Sequence, residues 1–438
     1  MANVPDPALF KTGRWPRGVN NLAAEGRMPL DEFARPIALR EAVNVDLTTD
    51  GYVRRRAGSA AHYAGTLTHS LWGDDRLDFG LFVDGGALHV LHADGSTESL
   101  GVTVGLLPLS YAFVNDRVLW SNRTTCGCVT HLLEPLAWAP EQPSGQPLLE
   151  AVNGYGLAAG EYQVAVTFTD AQGRESGTSV AAMVRLEDGQ GIALSSIPQP
   201  TDALATPLVS VYCTGADDPV LYRYTTLPAG TSSGVIAGAP EGRTASTQLL
   251  QSMPPGQIVR VGGGRQWVAS GRVLYWSEPL RYGLYNPARN QMRFNADIDV
   301  LEFVGDGGSG AGLYVAAGTR TYWLSGSSPA DWNQTVAVMA GAVPGSSATL
   351  PGDELGLQDA TPTAVWLSRN GDFYAGQPGG QCTSLTAGVA VDDADRAAVL
   401  YRKSGGIRQY VAALRAPRKQ GLAVTDRAYA HVIHKDCS

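Results

Sequence analysis

The sequence predicts an all-β fold, an irregular β-propeller interrupted by an inserted β-sandwich of the immunoglobulin or fibronectin kind. Its 52 glycines and 26 prolines among 438 residues disfavour long helices, because these residues are the poorest helix formers. Short segments of alternating apolar and polar residues, bounded by Gly, Asp, Asn or Pro, recur along the chain, as is typical of strands and tight turns. Similar hairpins stand on both sides of a different central segment, which favours radial repetition over the alternative, one large sandwich or barrel.

Residues 1–145 are predicted to hold an N-terminal arm and the first propeller blades. The segment FGLFVDGGALHVLHADGSTESL (79–100) contains three short strands separated by DGG and ADG turns. The segment YAFVNDRVLWSN (111–122) is predicted to form a hairpin that turns at Asn115 and Asp116, because these residue types tolerate a positive φ.

Residues 150–250 are predicted to form the inserted sandwich, after a linker of sequence PEQPSGQP (140–147). In the next segment Tyr162, Val164, Val166 and Phe168 alternate with polar or small residues, which predicts a strand with one buried face. Even spacing of the following strands favours a small sandwich. The remaining blades are predicted in residues 254–438, where GRVLYWSEP, TRTYWLSG and NGDFYAGQPGG loosely resemble the earlier DRVLWSN.

Charge and composition narrow the function classes. A net charge of -8 and a sequence pI of about 5.4 disfavour nonspecific nucleic-acid binding by the whole surface, although a local basic patch stays open. The sequence shows no signal-peptide pattern and no apolar run of membrane-spanning length, so we expect synthesis in the cytosol and no stable membrane insertion. The five cysteines, including Cys126 and Cys128, are expected to be reduced and structural.

The chain is predicted not to be an enzyme and to need no cofactor or metal. The glycine-rich stretch VGGGRQW leads into a strand, so it lacks the helix N-terminus of a phosphate site and is interpreted as a turn. The pairs His89/His92 and His431/His434 have a spacing that places their rings on opposite faces of a strand. Most carboxylates stand in turns, where turn chemistry explains them.

One basic element is the candidate functional site. The segment LREAVNVDLTTDGYVRRRAG (39–58) is predicted to be a hairpin that turns at 49–51, with Gly51 at positive φ. The candidate contact residues are Arg40, Arg54, Arg55 and Arg56. Alternation places the middle arginine opposite its neighbours, so we expect at least one arginine to pair with a carboxylate such as Asp46 or Glu41, or with a neighbouring subunit. Three interpretations stay open: a solvated hairpin, an inter-subunit clamp, or a channel lining that meets DNA phosphates.

An aromatic cluster is the second candidate. It lies in RQWVASGRVLYWSEPLRYGLYNP (265–287), and its members are Trp267, Tyr275, Trp276, Tyr282 and Tyr285. Packing between blades is the simpler interpretation. A subunit contact is the functional one, because Trp, Tyr and Arg are enriched at interfaces.

The ordered motifs resemble a family of tailed-bacteriophage virion proteins, the tail nozzles or tubular tail proteins of short-tailed phages. The opening GVNNLAAEGRMPL…ALREAVNVDLTTDGYVRRRAGS is similar to that family's N-terminal signature. The segment LAAGEYQVAVTFTDAQGRESG (157–177) resembles its inserted sandwich strands, and GGGRQWVASGRVLYWSEPLRYGLYNP (262–287) resembles a later family segment. The resemblance covers most of the chain in the family's order.

This resemblance implies a structural protein of the phage tail. It would form a ring, hexameric in the nozzle family, at the distal tail end, where it gates and conducts the genome during ejection. The implied partners are other copies of the chain, the tail adaptor protein, tail fibres and, transiently, genomic DNA; the implied location is the virion tail. The alternatives are a tail-tip or baseplate component of a long-tailed phage, and a carbohydrate-binding, carbohydrate-cleaving or receptor-binding tail propeller.

Overall fold

The computed structural model describes residues 14–23, 27–33, 35–43, 45–47, 51–56, 60–305, 310–326, 328–355, 360–386, 391, 393–404, 407–416 and 429–433. The chain divides into two units, one formed by Met1–Ala64 with Phe294–Ser438 and the other by Gly65–Arg293. All named sheets are antiparallel, and the fold is all-β, as predicted. The predicted division at 1–145, 150–250 and 254–438 stays a prediction.

The unit Gly65–Arg293 contains, besides the two sheets described further below, three small four-stranded sheets. The first has β3 (His69–Gly73), β4 (Phe79–Asp84), β5 (Ala87–His92) and β6 (Thr97–Thr103); the second has β7 (Ser110–Val114), β8 (Arg117–Ser121), β9 (Cys126–Thr130) and β10 (Pro135–Leu136); the third has β19 (Ile258–Gly262), β20 (Arg265–Ser270), β21 (Val273–Trp276) and β23 (Gln291–Arg293). A further pair joins β18 (Gln251–Ser252) to β22 (Leu284–Tyr285).

Turn chemistry explains these hairpins. The β7–β8 ladder closes with Val114 opposite Arg117, so the turn consists of Asn115 and Asp116, and Asn115 has φ 55°. The predicted turn is therefore confirmed. The VGGGRQW stretch is also a turn, between β19 and β20, and leads into a strand as predicted.

Consecutive sheets of this unit share cores. Leu81 and Val90 of the first sheet pack with Tyr111 and Val118 of the second. The second sheet packs in turn against the third, where Leu119 meets Val259. The third sheet therefore contacts the second although more than a hundred residues separate them along the chain.

The intervening residues form two sheets around a core of their own. One sheet has β11 (Leu148–Leu157), β14 (Gln190–Ser195) and β17 (Gly234–Ile236); the other has β13 (Ala182–Leu186), β12 (Gly160–Thr169), β15 (Leu208–Cys213) and β16 (Tyr222–Pro228). Their shared core contains Tyr162, Val164, Val166 and Phe168, which confirms the buried face of β12.

The other face of β12 is also buried, which the alternation did not predict. Ala165 packs with Tyr212, Leu221 and Ala245, and Thr167 is fully buried beside them. Leu221 and Ala245, on either side of β16 along the chain, lie against this face, and Glu175 accepts a hydrogen bond from Thr167, so these residues of β12 lie under a second layer and not in solvent.

Arg174 fastens this segment to the sheet before it. Its Nε donates to Asp170 Oδ2 (2.7 Å), and its Nη1 donates to the carbonyl oxygens of Ala137 and Trp138 (both 3.0 Å), directly after β10. A guanidinium group that is shared in this way ties the β12 turn to the end of the second sheet.

The other unit also contains sheets that follow one another. They are β24 (Ile298–Val304), β25 (Gly312–Ala317), β26 (Arg320–Ser325) and β27 (Asn333–Val338); then β28 (Ala348–Pro351), β29 (Pro362–Leu367), β30 (Phe373–Gly376) and β31 (Cys382–Ser384); then β32 (Arg396–Ser404), β33 (Ile407–Arg415) and β34 (Tyr429–Ile433). Tyr314 and Trp366 join the first of these sheets to the second, and Phe373 and Tyr410 join the second to the third. A short hairpin of β1 (Val45–Leu47) and β2 (Val53–Arg55) belongs to this unit.

The helical elements of the described residues are short 3-10 turns at Pro329–Asp331 and Gly352–Leu355. Among the residues that the structure describes, no helix has the length and apolar character needed to cross a membrane.

Candidate functional site

The arginine hairpin, defined as β1, β2 and Arg56, is built around Asp46. The register places Asp46 opposite Arg54 and Val45 opposite Arg55, so the middle arginine faces away from its neighbours, as the alternation predicts. Arg56 Nε donates to Asp46 Oδ1 at 3.1 Å, and the Asp46 side chain is only 12% exposed. The expectation that at least one arginine pairs with a carboxylate is confirmed, and of the two carboxylates suggested, Asp46 and Glu41, the partner is Asp46.

A residue that the sequence did not single out also approaches Asp46. Arg402 of β32 places its Nη2 3.8 Å from Asp46 Oδ2, and its Nε donates to Gln409 Oε1 at 2.8 Å. The carboxylate therefore lies between two guanidinium groups that are far apart in sequence. No short-range pattern marks Arg402, because its role depends on the packing of β32 beside the hairpin.

The other predicted arginines face solvent. Arg40, Arg54 and Arg55 are exposed, and none has a carboxylate partner among the described residues. Glu41, the alternative partner suggested by the sequence, is also exposed. The hairpin thus has one anchored arginine and two that point outward from the same short strand.

The turn of the hairpin is covered by the start of the chain. Gly51 has φ 76°, as predicted, and the N–H of Trp15 donates to its carbonyl oxygen at 2.8 Å. A Cβ at this position would lie 2.7 Å from the nitrogen of Pro16, so the close approach requires glycine. The predicted turn residues Thr49 and Asp50 lie outside the described residues.

We expect the Asp46→Asn substitution to loosen the hairpin. The amide cannot pair ionically with Arg56 or Arg402, and a hydrogen bond between charged groups contributes about 1.5–3 kcal/mol. Amide hydrogen exchange in Val45–Leu47 and Val53–Arg55 should then accelerate by about tenfold, equivalent to about 1.4 kcal/mol. Glu41→Gln is the matched control and should leave exchange unchanged; equal effects of the two variants would contradict the anchoring role of Asp46.

The aromatic cluster is placed mainly inside its unit. Trp267 and Trp276 lie opposite each other in the β20–β21 ladder with ring centroids 6.1 Å apart, and both are buried. Tyr275, Tyr282 and Tyr285 are half-buried against the core that joins the second and third sheets. These contacts support the packing interpretation, and an interface role for the partly exposed tyrosines stays a prediction.

Two carboxylates outside the hairpin, Glu302 and Glu175, are bound by hydroxyl groups. Glu302 accepts hydrogen bonds from Ser347 Oγ (2.6 Å) and Thr349 Oγ1 (2.9 Å). Glu175 accepts from Thr167 Oγ1 and Tyr212 Oη, both at 2.6 Å, and burial together with this carboxylate raises the pKa of Tyr212 to about 12. Both groups therefore have a structural explanation.

No group of three or more His, Cys, Asp or Glu side chains within the described ranges has a geometry that could hold a metal ion. His89 stacks on Phe82, and His92 Nε2 lies 3.4 Å from Glu98. The cysteines of these ranges are free thiols, namely Cys126, Cys128, Cys213 and Cys382.

These thiols should be unreactive in the folded protein. Burial raises the pKa of Cys126 and of Cys213 to about 12 and that of Cys382 to about 11, and it also raises the pKa of Cys128. At pH 8 the thiolate form of Cys126, Cys213 and Cys382, which is the nucleophile, is then on the order of one part in a thousand or less. A Cys437→Ser variant removes the thiol that lies outside the described residues. It should react with an aromatic disulfide reagent at least about a hundredfold more slowly when native than when unfolded; rapid reaction of a native thiol would contradict this burial.

No protein-family model matches the sequence, and no curated protein matches it either. Among solved structures, the chain is similar to BBS1N in its complex with ARL6DN, at 10% identity over 80% of this chain and 89% of that chain, with a TM-score of 0.29. It is also similar to the tricorn protease, at 10% identity over 84% of this chain and 43% of that one, with a TM-score of 0.22. A third similar structure is PorZ, a component of the type-IX secretion system of Porphyromonas gingivalis, at 12% identity over 84% and 45% of the two chains, with a TM-score of 0.22. The matched part spans less than half of the tricorn protease and PorZ chains, and these likenesses are too low to assign a function.

Proposed function

We propose that the chain is a structural virion protein of a bacteriophage tail. It forms a ring, hexameric by the family resemblance, at the distal tail end, and this ring gates and conducts the genome. The observation that carries the proposal is the arginine hairpin: Arg54 and Arg55 are exposed on a strand whose neighbour Arg56 is anchored to Asp46. The two arginines lie on opposite faces of the strand, so the hairpin presents an exposed guanidinium group on each face, and ring symmetry would repeat these groups as contacts for a neighbouring subunit or for phosphates.

The weakness of such a contact suits a conduit. DNA must slide past the wall of the channel. Each phosphate that the protein neutralises raises the affinity for DNA, and a high affinity would hold the DNA in place. A net charge of -8 keeps general attraction low, while two arginines per subunit give local guidance.

The finer fold belongs to the same proposal. Each unit has small four-stranded sheets that pack one after another through shared cores, which is how propeller blades pack. The two sheets of β11–β17 have three and four strands around a separate core, the composition of a small immunoglobulin-like sandwich. Such a sandwich inserted between two blades explains why the second and third sheets of that unit are in contact.

The partners follow from this assignment. They are other copies of the chain in the ring, the tail adaptor protein above it, tail fibres at its rim and genomic DNA in transit. The protein acts in the virion tail after synthesis in the bacterial cytoplasm. Its chemistry is binding and gating, with no reaction step.

Imaging of intact virions tests the proposal. An antibody against the chain, or its fit into a density map, should locate it as a closed ring on the axis of the distal tail, around the path of the genome. Location on a peripheral spike, with binding of oligosaccharide or of host cells by the purified chain, would overturn the proposal in favour of a receptor-binding or carbohydrate-active propeller. Location in the baseplate of a long tail would support the tail-tip alternative.

A further inference from the structure

We propose that residues 14–43, called the arm below, dock on a second copy of this chain through a loop that presents Phe33. This inference rests on the proposed ring and names one of the surfaces that would build it. Four large apolar side chains of the arm face solvent: Leu22, Leu30, Phe33 and Val43, with Phe33 66% and Val43 73% exposed. In the described part of the arm Ala38 is the one buried residue, so the arm has almost no core of its own.

The backbone of the arm is nevertheless held in place. Its two halves pair with each other: the N–H of Leu39 donates to the carbonyl of Gly18 at 2.7 Å, and the N–H of Asn20 donates to the carbonyl of Leu39 at 2.7 Å. The N–H of Arg17 donates to Ile37 at 3.1 Å. A surface with a fixed backbone and exposed apolar side chains loses little conformational entropy on association, because its backbone is already ordered. The arm has this arrangement.

The Phe33 loop shows this preorganisation most clearly. Asp31 Oδ1 accepts from the N–H groups of Phe33 (2.9 Å) and Arg35 (2.8 Å), and the N–H of Asp31 donates to the carbonyl of Arg35 at 2.8 Å. The Arg35 guanidinium lies 5.1 Å from the centre of the Phe33 ring. An exposed aromatic ring beside an arginine, on a closed loop, has the composition of an interface anchor.

The balance of basic and acidic residues indicates which kind of surface the arm contacts. The arm carries five arginines against four carboxylates, and with the arginine hairpin beside it residues 14–56 carry eight against six, whereas the whole chain has 33 basic and 41 acidic residues. A second copy of the chain, with its net charge of -8, therefore offers the arm and the adjoining hairpin a surface of opposite net charge. Nucleic acid is the weaker match, because Leu22, Leu30, Phe33 and Val43 find no apolar surface along a phosphate backbone.

The same charge asymmetry favours a head-to-tail contact. In an isologous dimer the arm and the adjoining arginine hairpin would meet their own copies, and the surplus of arginines in residues 14–56 would face itself. When the arm instead contacts a different, acidic surface of the next copy, the interface is heterologous, and a heterologous interface closes into a ring or continues as a filament. The arm thus supplies one half of the kind of interface that the proposed ring needs.

Sedimentation velocity of the full chain over a wide concentration range tests the arm. The wild-type chain should self-associate, and the association should weaken as salt is raised, because screening removes the charge attraction. Phe33→Glu should raise the dissociation constant by about 30-fold, the cost of losing an interface anchor. Leu204→Glu is the matched control: Leu204 is 91% exposed on the sandwich segment, and its substitution should leave the dissociation constant unchanged.

The results that would contradict the arm assignment differ from those that would contradict the proposed ring. Undiminished self-association of Phe33→Glu overturns the arm assignment and leaves the ring intact. A wild-type chain that stays monomeric throughout the concentration range also overturns the arm assignment, while the ring is decided separately by the virion images. Retardation of duplex DNA that Phe33→Glu and Arg35→Glu abolish, without any change in self-association, would assign the arm to nucleic acid instead. Thermal unfolding of each variant should match that of the wild type, because the substituted side chains are exposed.

Discussion

The proposed tail role predicts that virions carrying Arg54→Glu together with Arg55→Glu lose their infectivity, with particles that lack a stable tail end or release their DNA prematurely. Both arginines are exposed without a carboxylate partner among the described residues, so their replacement leaves the core untouched. Because Arg54 lies opposite Asp46 in the ladder, hydrogen exchange of the hairpin is measured as well, to show that the Asp46–Arg56 pair is kept in the variant. A glutamate that faces an acidic neighbour or a phosphate introduces like-charge contact, which costs several kcal/mol. Every 1.4 kcal/mol is a tenfold change in an association constant, so the titre should fall by at least about a hundredfold.

The measurement compares plaque titre, particle images and thermal unfolding of the purified chain. A variant with Arg272→Glu and Arg320→Glu is the matched control, because both arginines are exposed at hairpins but lie outside the arginine hairpin. It should assemble and infect normally. If the Arg54 and Arg55 variant also gives full-titre virions, these arginines are merely solvated and the proposed contact is wrong.

Local sequence chemistry predicted the hairpins well. Asn115 adopts a positive φ at the predicted turn, and Gly51 does so in the arginine hairpin. In both places the residue type tolerates a positive φ that most residues avoid, so a few neighbouring residues contain the information. Alternation likewise predicted the buried side of β12, since a strand places every second side chain on the same face.

Long-range packing could not be predicted in the same way. The second face of β12 alternates like an exposed face, yet Ala165 and Thr167 are buried because a later part of the chain folds over them. At the site, the sequence predicted a partner for at least one arginine and left Asp46, Glu41 and a neighbouring subunit open. It did not predict Arg402, nor which arginines would stay exposed, because both depend on where β32 lies relative to the hairpin.

The aromatic residues show that functional surfaces, like long-range packing, are hard to predict from local sequence. Trp267 and Trp276 stood out as a group because they are large and close in sequence, and enrichment at interfaces made them candidates for a contact. Their opposite positions in one ladder place both rings in the interior. The exposed Phe33, which stands alone in a loop, carried no such pattern, and its closed backbone becomes evident only from the hydrogen bonds of Asp31.

Gly345→Ala should be among the most destabilising substitutions in the chain. Gly345 has φ 77°, and a Cβ built there would lie 2.2 Å from the carbonyl oxygen of Ala397 in β32. That strand is held at this point by a hydrogen bond of 2.9 Å from the N–H of Ala397 to the carbonyl of Pro344, so the strand and the loop cannot separate without losing it. Ala397 belongs to the core that joins the second and third sheets of the unit, so its displacement opens that core.

The loss of stability expected for Gly345→Ala has two parts, and a control variant, Gly379→Ala, separates them. The left-handed backbone costs alanine about 1–2 kcal/mol, and the clash adds to this, for a total of about 4 kcal/mol. The corresponding loss in the unfolding temperature is about 10 °C for a unit of this size, measured by calorimetry, with faster amide exchange in β28 and β32. Gly379 has φ 84° and no atom within 4 Å of a built Cβ, so Gly379→Ala should show the backbone cost alone. Equal temperature losses in the two variants would mean that β32 yields to the methyl group and that the Gly345 contact does not hold the strand in place.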